Sequence, residues 1–197
     1  VFSNYGIILK DLGKLQEAEI SYHKAIELNP DVAEAHYNLG IILNDLGKSQ
    51  DAELSYRKAI ELNPNFADAH SNLGTILRTL EKVKESEIST RKAIELNPDF
   101  AGGHLNLGNT LELLGKMEEA KIHWAKAIEL NPKDEKSARA LAHHLFNEEK
   151  YKLALKYLSK CQSNSCQSLY LGCLLSLDRE KEFEEKYMDL IEKKICN

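Results

Sequence analysis

Three histidines recur at a constant interval and could, by residue type, bind a metal ion. His36, His70 and His104 are spaced 34 residues apart. Imidazole nitrogens are frequent zinc ligands, and all ligands of one ion must converge within about 2.1 Å of it. Residues that lie one repeat apart along a stack do not converge in this way. We therefore expect these histidines to be packing residues.

A second group of potential ligands lies towards the end of the chain, at His143, His144, Cys161, Cys166 and Cys173. Structural zinc sites combine closely spaced pairs such as C-x-x-C and H-x-x-x-H. Neither pattern occurs in this group. The sequence therefore predicts buried or incidental thiols, with no metal and no cofactor.

Sequence patterns typical of catalysis are also missing. The pair Gly102-Gly103 is not part of G-x-x-x-x-G-K-[ST] or G-x-G-x-x-G, the patterns of phosphate-binding loops. The G-x-S-x-G pattern of a serine nucleophile does not occur either. Glutamates such as Glu17, Glu19 and Glu27 belong to outer helix faces, where a charged residue is usually solvated. We predict that the chain is not an enzyme.

A sequence repeat determines the secondary-structure elements in which these residues lie. The hexapeptide A-I-E-L-N-P occurs four times at intervals of 34 residues, at Ala25–Pro30, Ala59–Pro64, Ala93–Pro98 and Ala127–Pro132. These are also the four prolines of the chain. Because proline disfavours helix at the residue before it, each Asn-Pro step should end a helix.

Between two prolines the apolar pattern predicts a pair of amphipathic helices. In the second unit, apolar residues recur at helical spacing on both sides of Gly47, at Leu39, Leu43, Leu46, Ala52, Tyr56 and Ile60. A glycine after a helix supplies a left-handed cap and ends the first helix. Each unit is thus predicted to be a helical hairpin.

Small residues recur where the two helices of a hairpin would cross, at Gly6, Gly40, Gly74, Gly108, Ala18, Ala52, Ser86 and Ala120. Their recurrence suggests close backbone approach, which would offset the cost of glycine in a helix. Tyr22, Tyr56 and Trp124 fill the space one turn further on. Thr90 leaves that position thinner in the third unit, where we expect a local soft spot.

A 34-residue unit with L-G, then alanine, an aromatic residue, alanine and proline resembles the tetratricopeptide repeat family. It is similar to bacterial arrays of this family and to the repeats of O-linked N-acetylglucosamine transferase. The resemblance implies an all-α fold: a right-handed superhelical α-solenoid of helical hairpins, closed by a C-terminal pair of capping helices.

The repeat divides the chain into six segments. A first repeat without its opening residues (1–32) is followed by three full repeats (33–66, 67–100 and 101–134), a degenerate repeat (135–168) and the capping helices (169–197). The fifth repeat is degenerate because Ala142 replaces the glycine, Cys161 replaces the last alanine and the proline is missing.

In this family the first helices of the hairpins line a concave groove, so the residues that form the groove surface lie at positions that recur every 34 residues. Asparagines occupy one of them: Asn4, Asn38, Asn72 and Asn106. They resemble the asparagines of the transferase repeats, which hold the backbone of an extended peptide. An amide can both donate to and accept from a peptide unit of any sequence. In the alternative interpretation these asparagines cap or bridge neighbouring helices.

Other residues on the same helical face should add to binding, because four hydrogen bonds barely offset the cost of association. By spacing of one helical turn from the asparagines, the candidates are Tyr37, Asn44, Thr75, Arg78, Asn109, Arg139, His143 and Phe146.

The composition of the chain limits the classes of partner that it could bind. The formal net charge of −5 leaves no basic excess for nucleic acid. The longest apolar run, Leu169–Leu177, is much shorter than the ~20 residues of a membrane-spanning helix. All four cysteines lie between Cys161 and Cys196, unlike a disulfide framework, which favours a reducing, cytoplasmic setting. We expect a protein or peptide partner, with no nucleic acid and no membrane.

Three functions follow from this pattern. We expect foremost a scaffold that holds an extended polypeptide in the groove. The chain begins at Val1 without an initiator methionine, so we expect a fragment of a longer protein, in which it could be the targeting or substrate-docking arm of an enzyme. The third function is self-assembly through the imperfect ends of the array.

Overall fold

The computed structural model describes residues 2–195, and every regular element in that range is an α-helix. The helices are α1 Phe2–Asp11, α2 Leu15–Leu28, α3 Ala33–Asp45, α4 Ser49–Leu62, α5 Ala67–Thr79, α6 Val83–Leu96, α7 Ala101–Leu113, α8 Met117–Leu130, α9 Glu135–Asn147, α10 Tyr151–Leu158, α11 Asn164–Leu175 and α12 Glu180–Ile195. Odd-numbered helices are the first and even-numbered helices the second members of successive hairpins. The predicted all-α array of hairpins is confirmed.

Two recurring chain breaks separate the helices. Within a hairpin, Gly13, Gly47 and Gly115 have φ between 72° and 76°, the left-handed conformation predicted for Gly47. The turn at Gly47 is closed by two backbone hydrogen bonds, from Gly47 N to Asn44 O and from Lys48 N to Leu43 O, at 2.9 and 2.8 Å. Between hairpins, the Asn63 side chain accepts a hydrogen bond from Asn65 N at 3.2 Å and folds the chain around Pro64.

The chain forms two compact units, Val1–Met117 and Glu118–Asn197. In the first unit each helix from α1 to α7 packs against the next, and α5 also contacts α7. One apolar core runs through its first three hairpins and includes Leu9, Tyr22, Ile42, Tyr56 and Leu77. The hairpins of this unit therefore share a continuous interior.

The recurring glycines have a more specific role than close backbone approach. A Cβ atom added to Gly6 would lie 2.7 Å from the Tyr22 ring, and one added to Gly40 would lie 2.7 Å from the Tyr56 ring. Both tyrosines are fully buried. In these two hairpins the glycine makes room for an aromatic ring of the second helix.

The third hairpin is packed differently, because Thr90 occupies the position of the tyrosines. A Cβ atom on Gly74 would clash with Thr90 Cγ2 and lie 3.3 Å from the backbone oxygen of Ser86. Ser86 donates a hydrogen bond to Gly74 O at 2.7 Å and lies 3.0 Å from the Thr110 hydroxyl. The threonine methyl group and buried hydrogen bonds thus take the place of the ring.

A ladder of ion pairs connects successive hairpins in the first unit. Each pair joins a glutamate near the start of a second helix to the lysine of the next hairpin's loop: Glu19–Lys48, Glu53–Lys82 and Glu87–Lys116, at 2.8, 2.9 and 2.8 Å. The glutamate side chains are mostly buried, with 18%, 9% and 17% exposure. This ladder was not predicted from the sequence.

In the second unit the indole of Trp124 on α8 is fully buried and stacks on the His144 ring at 5.4 Å. Helices α9, α10 and α11 contact one another, and α12 packs on α11. A helix pair ends the described chain, and the predicted start of the last segment at residue 169 stays a prediction. Helix α11 begins at Asn164, because Ser163 has extended backbone and Glu135 accepts hydrogen bonds from Gln162 N and Ser163 N just ahead of it.

Candidate functional site

Two of the predicted asparagines connect neighbouring first helices. Asn72 Nδ2 on α5 donates to the Tyr37 hydroxyl on α3 at 3.2 Å. Asn106 Nδ2 on α7 donates to the Ser71 hydroxyl on α5 at 2.9 Å. Both asparagines are half-buried, so each amide is partly accessible while bonded to the preceding hairpin. This geometry favours the bridging interpretation for these two residues, and their contact with a peptide stays a prediction.

The other two asparagines of the series are more open. Asn38 on α3 is half-buried and Asn4 on α1 is exposed. Among residues 2–195, neither side chain has a hydrogen-bond partner. Their amides are therefore available to a bound segment without displacing a contact within the chain.

Tyr37 is the aromatic member of the predicted surface. Its ring centroid lies 4.6 Å from that of Phe66 and 6.0 Å from that of Tyr56. Burial raises the pKa of the Tyr37 hydroxyl, and the Asp68 carboxylate adds to this effect, against the hydrogen bond from Asn72. The hydroxyl stays protonated near neutral pH and can itself donate a hydrogen bond.

The remaining predicted residues of the first unit are Thr75, Arg78, Asn44 and Asn109. Thr75 uses its hydroxyl to bond Ser71 O at 3.3 Å within α5. The Arg78 guanidinium is half-buried, and burial lowers its pKa while the nearby Glu112 carboxylate opposes that shift. Within the described residues Arg78 makes no ion pair. Asn44 is exposed and Asn109 is half-buried.

Three predicted residues belong to the second unit and form a separate set on α9. Arg139 and His143 are exposed, and Asn147 Nδ2 lies 3.4 Å from His143 Nε2. Phe146 is half-buried and meets the Tyr151 ring edge-on at 5.2 Å. Phe146 is thus used in part for packing, whereas Arg139 and His143 present polar groups to solvent.

The recurring histidines have a definite structural role that the sequence did not reveal. Nε2 of His36, His70 and His104 lies 2.8, 3.0 and 3.0 Å from the carbonyl oxygens of Pro30, Pro64 and Pro98. Each ring donates to the carbonyl six residues earlier and so closes the turn between two hairpins. The constant Pro-to-His separation was the available signal.

The described cysteines are buried, unpaired thiols. Burial raises the pKa of Cys161 to about 12, with a further contribution from the neighbouring Cys166, and burial raises the pKa of Cys173 to about 11. Thiols with raised pKa values are poor nucleophiles and poor metal ligands. Across residues 2–195 no cluster of His, Cys, Asp and Glu could hold a metal ion. Cys196 lies outside the described residues.

A helix that crosses a lipid bilayer must be long and predominantly apolar. Within the described part of the chain, no helix combines the length and the apolar character that a membrane crossing requires.

Four models of tetratricopeptide repeats match the sequence. A "TPR repeat" model matches residues 6–47, and models described as "Tetratricopeptide repeat" match residues 33–66, 55–87 and 101–134. Together they cover residues 6–87 and 101–134, more than half of the chain. A search of curated protein sequences finds no match.

Several solved structures share the fold. The chain matches PilF of Pseudomonas aeruginosa with a TM-score of 0.84 and 22% identity, over 96% of this chain and 88% of that one. PilW, described as a type IV pilus biogenesis factor, matches with a TM-score of 0.79 and 18% identity, over 96% and 90%. YrrB, described as a TPR protein with an unusual peptide-binding site, matches with a TM-score of 0.67 and 24% identity, over 91% and 90%.

The hairpins, their 34-residue period and the four matching models agree, and the chain belongs to the tetratricopeptide repeat family.

Proposed function

We propose that the chain is a protein-binding scaffold and that the first helices of the first unit hold an extended segment of a partner. The observation that carries this proposal is the row of half-buried polar groups along successive first helices, made by Asn38, Tyr37, Asn72 and Asn106. The similarity to YrrB, described as a TPR protein with an unusual peptide-binding site, supports the same class of function.

The hydrogen bonds between hairpins favour binding because they hold the asparagine side chains in place before a partner arrives. Because Asn72 and Asn106 are already oriented by Tyr37 and Ser71, fixing them costs less side-chain entropy when a partner binds. Each of these amides donates to its neighbour and keeps an oxygen that can accept a hydrogen bond. A peptide backbone offers N–H donors at regular intervals and would match such acceptors.

Arg78 supplies the strongest group on this surface. It is half-buried and makes no ion pair within the described residues, so its guanidinium can donate to a carbonyl or carboxylate of the partner. Arginine keeps its charge even when burial lowers its pKa. A hydrogen bond to a charged group contributes about 1.5–3 kcal/mol, more than one amide contact.

The test starts with selection of ligands from a displayed library of random linear peptides, followed by calorimetric titration of the best binder. We expect Arg78→Gln to weaken binding about tenfold or more, and the triple change of Asn38, Asn72 and Asn106 to alanine to weaken it by a comparable factor. The matched control is Gln16→Ala with Gln50→Ala, two exposed amides on second helices.

Because Asn72 and Asn106 also join hairpins, the triple variant should unfold at a lower temperature than the wild type. Arg78→Gln breaks no ion pair of the described chain, so it separates binding from folding. Peptides that bind the folded Arg78→Gln protein and the folded triple variant as tightly as the wild type would refute the proposed surface.

We further propose roles for the six segments, a non-catalytic function and a cellular location. The six segments predicted from the sequence serve as binding repeats and a cap. The role is non-catalytic, and the clustered cysteines favour a cytoplasmic setting.

A further inference from the structure

A groove lies between two second helices of the second unit, α8 and α10. Helix α8 has 14 residues, whereas α10 has 8 and ends at Leu158. The last turns of α8 therefore have no helical neighbour on the α10 side. A cavity of about 750 Å³ opens there, lined by Ala125 of α8 and Tyr157 of α10 and by Pro132 and Lys160, which lie just after these two helices.

The groove continues along the earlier turns of both helices. A second cavity of about 310 Å³ shares Ile122, Ala125 and Tyr157 with the first, and Leu141 and Leu145 of α9 also line it. Two large apolar side chains are exposed along it, Ile122 at 66% and Leu153 at 41%. We call the two connected cavities the α8–α10 groove.

The charge of the α8–α10 groove is opposite to that of the protein. Five lysines line it, at positions 121, 126, 150, 156 and 160, against two glutamates, Glu118 and Glu129. Both glutamates are neutralised by ion pairs, with Lys121 at 2.7 Å and Lys126 at 3.0 Å. The whole chain, in contrast, has a formal net charge of −5.

Two of these lysines are available to a partner. Lys156 and Lys160 are exposed and make no ion pair with any residue between 2 and 191. Lys156 Nζ lies 5.9 Å from the Tyr157 ring centroid, so its charge is held at the groove. An apolar floor with unpaired lysines at its rim complements a ligand that has apolar residues flanked by carboxylates.

We propose that the α8–α10 groove binds an amphipathic helix of a partner protein, with its apolar stripe on Ile122, Leu153 and Tyr157 and its acidic residues beside Lys156 and Lys160. A helix fits because the groove runs between two helices and is open where α10 stops early. A helix of the length of α8 spans about 21 Å at 1.5 Å per residue. A bilayer surface is flat and would reach the exposed rim rather than the buried floor at Leu141 and Leu145.

The test uses a fluorescein-labelled probe peptide of about 16 residues, with leucine at helical i, i+3, i+4 and i+7 spacing and glutamate and alanine elsewhere. Fluorescence anisotropy should show saturable binding to the full chain. We expect Lys156→Glu with Lys160→Glu to weaken it about tenfold or more, and Ile122→Ser to weaken it as well. A probe with lysine in place of glutamate should not bind.

The matched control is Lys24→Glu with Lys84→Glu, which changes the net charge by the same amount at exposed, unpaired lysines of other second helices. It should change probe affinity less than about twofold. Arg78→Gln should leave probe binding unchanged, so this experiment and the test of the first-helix surface can fail independently.

Three outcomes would overturn the proposal. One is equal weakening by both pairs of lysine changes, which would indicate non-specific attraction. Another is undiminished binding to the folded Lys156→Glu, Lys160→Glu protein. The third is binding of phosphatidylserine vesicles through these lysines without binding of the probe, which would make the groove rim a lipid contact.

Discussion

At the scale of single residues, the glycines of the first helices are selected by the side chain that faces them. Gly6 and Gly40 each touch a tyrosine ring, and Gly74 faces the smaller Thr90 at an even shorter distance. Ser86 and Thr90 of the third hairpin and Thr110 of α7 are buried and hydrogen-bonded. The soft spot expected at Thr90 stays a prediction.

Gly40→Ala should destabilise the protein although alanine favours helix. The new Cβ would lie 2.7 Å from the buried Tyr56 ring, and overpacking of this kind costs typically about 1–3 kcal/mol. The gain in helix propensity returns about 0.5–1 kcal/mol. We expect a net loss in the free energy of unfolding, measured with urea.

The control for this prediction is the same change in a Tyr56→Leu background. With the ring removed, Gly40→Ala should become neutral or stabilising. An equal loss in both backgrounds would show that the ring contact does not select glycine.

At the scale of elements, the turns inside the hairpins differ in the residue type at one position, and this difference should have a measurable effect on stability. The left-handed position is glycine in three turns, whereas Glu81, Glu149 and Asp178 occupy it in the third, fifth and sixth hairpins, with φ 62°, 59° and 53°. A non-glycine residue there costs about 1–2 kcal/mol. Glu81→Gly should therefore stabilise the protein by about 1 kcal/mol, and Gly47→Glu should destabilise it by a similar amount.

Thermal unfolding of these two variants tests the turn directly, because a Cβ atom added at Gly13, Gly47 or Gly115 would have no atom within 4 Å. No change in midpoint for Glu81→Gly would mean that the carboxylate or its loop compensates for the strained backbone.

The ion-pair ladder makes stability depend on pH on the acid side. Hydrogen bonds from Lys116 lower the pKa of Glu87, with Arg91 adding to the effect against desolvation. A carboxylate whose pKa is lowered by folding stabilises the protein above its unfolded pKa, about 4.3, and this contribution is lost as the pH falls through the folded value. At Glu53 desolvation opposes the shift, but hydrogen bonds from Lys82 and Arg57 outweigh it and lower the pKa as well. Replacement of Glu53 and Glu87 by glutamine should reduce stability at pH 7.

The measurement is the urea midpoint of the wild type and the double variant at several pH values between 7 and 3. Each pair is expected to contribute up to about 1 kcal/mol, because its lysine is nearly half exposed. The two curves should approach each other as the carboxylates are protonated. A constant difference across this range would assign the loss to packing instead.

The helices themselves were predictable because the signals that end them are local. Asn63-Pro64 and Gly47 mark breaks whatever surrounds them, and the structure places breaks at both. The start of α11 was not predictable in this way. It depends on Glu135, which lies 27 residues before Gln162 in sequence and accepts its N–H.

At the scale of the whole molecule, the sequence predicts a candidate surface but not the hydrogen bonds of its residues. The recurrence of asparagine on first helices follows from the period alone. The donation from Asn72 to Tyr37 and from Asn106 to Ser71 depends on how neighbouring hairpins stack, and repeat units that differ in sequence use different acceptors. The α8–α10 groove was missed for a related reason, since it arises where α10 ends early.

Stacking also determines how far a local change spreads. In the first unit α2 contacts α3 and α4 contacts α5, so each hairpin is supported mainly by its neighbours. The stability of such an array is approximately a sum of hairpin terms and nearest-neighbour terms. Gly40→Ala should therefore raise amide exchange in α3 and α4, raise it less in α2 and α5, and leave α10 and α11 unchanged. Exchange followed by mass spectrometry under native conditions would resolve these segments, and a uniform increase along the chain would show that the array opens as one cooperative body.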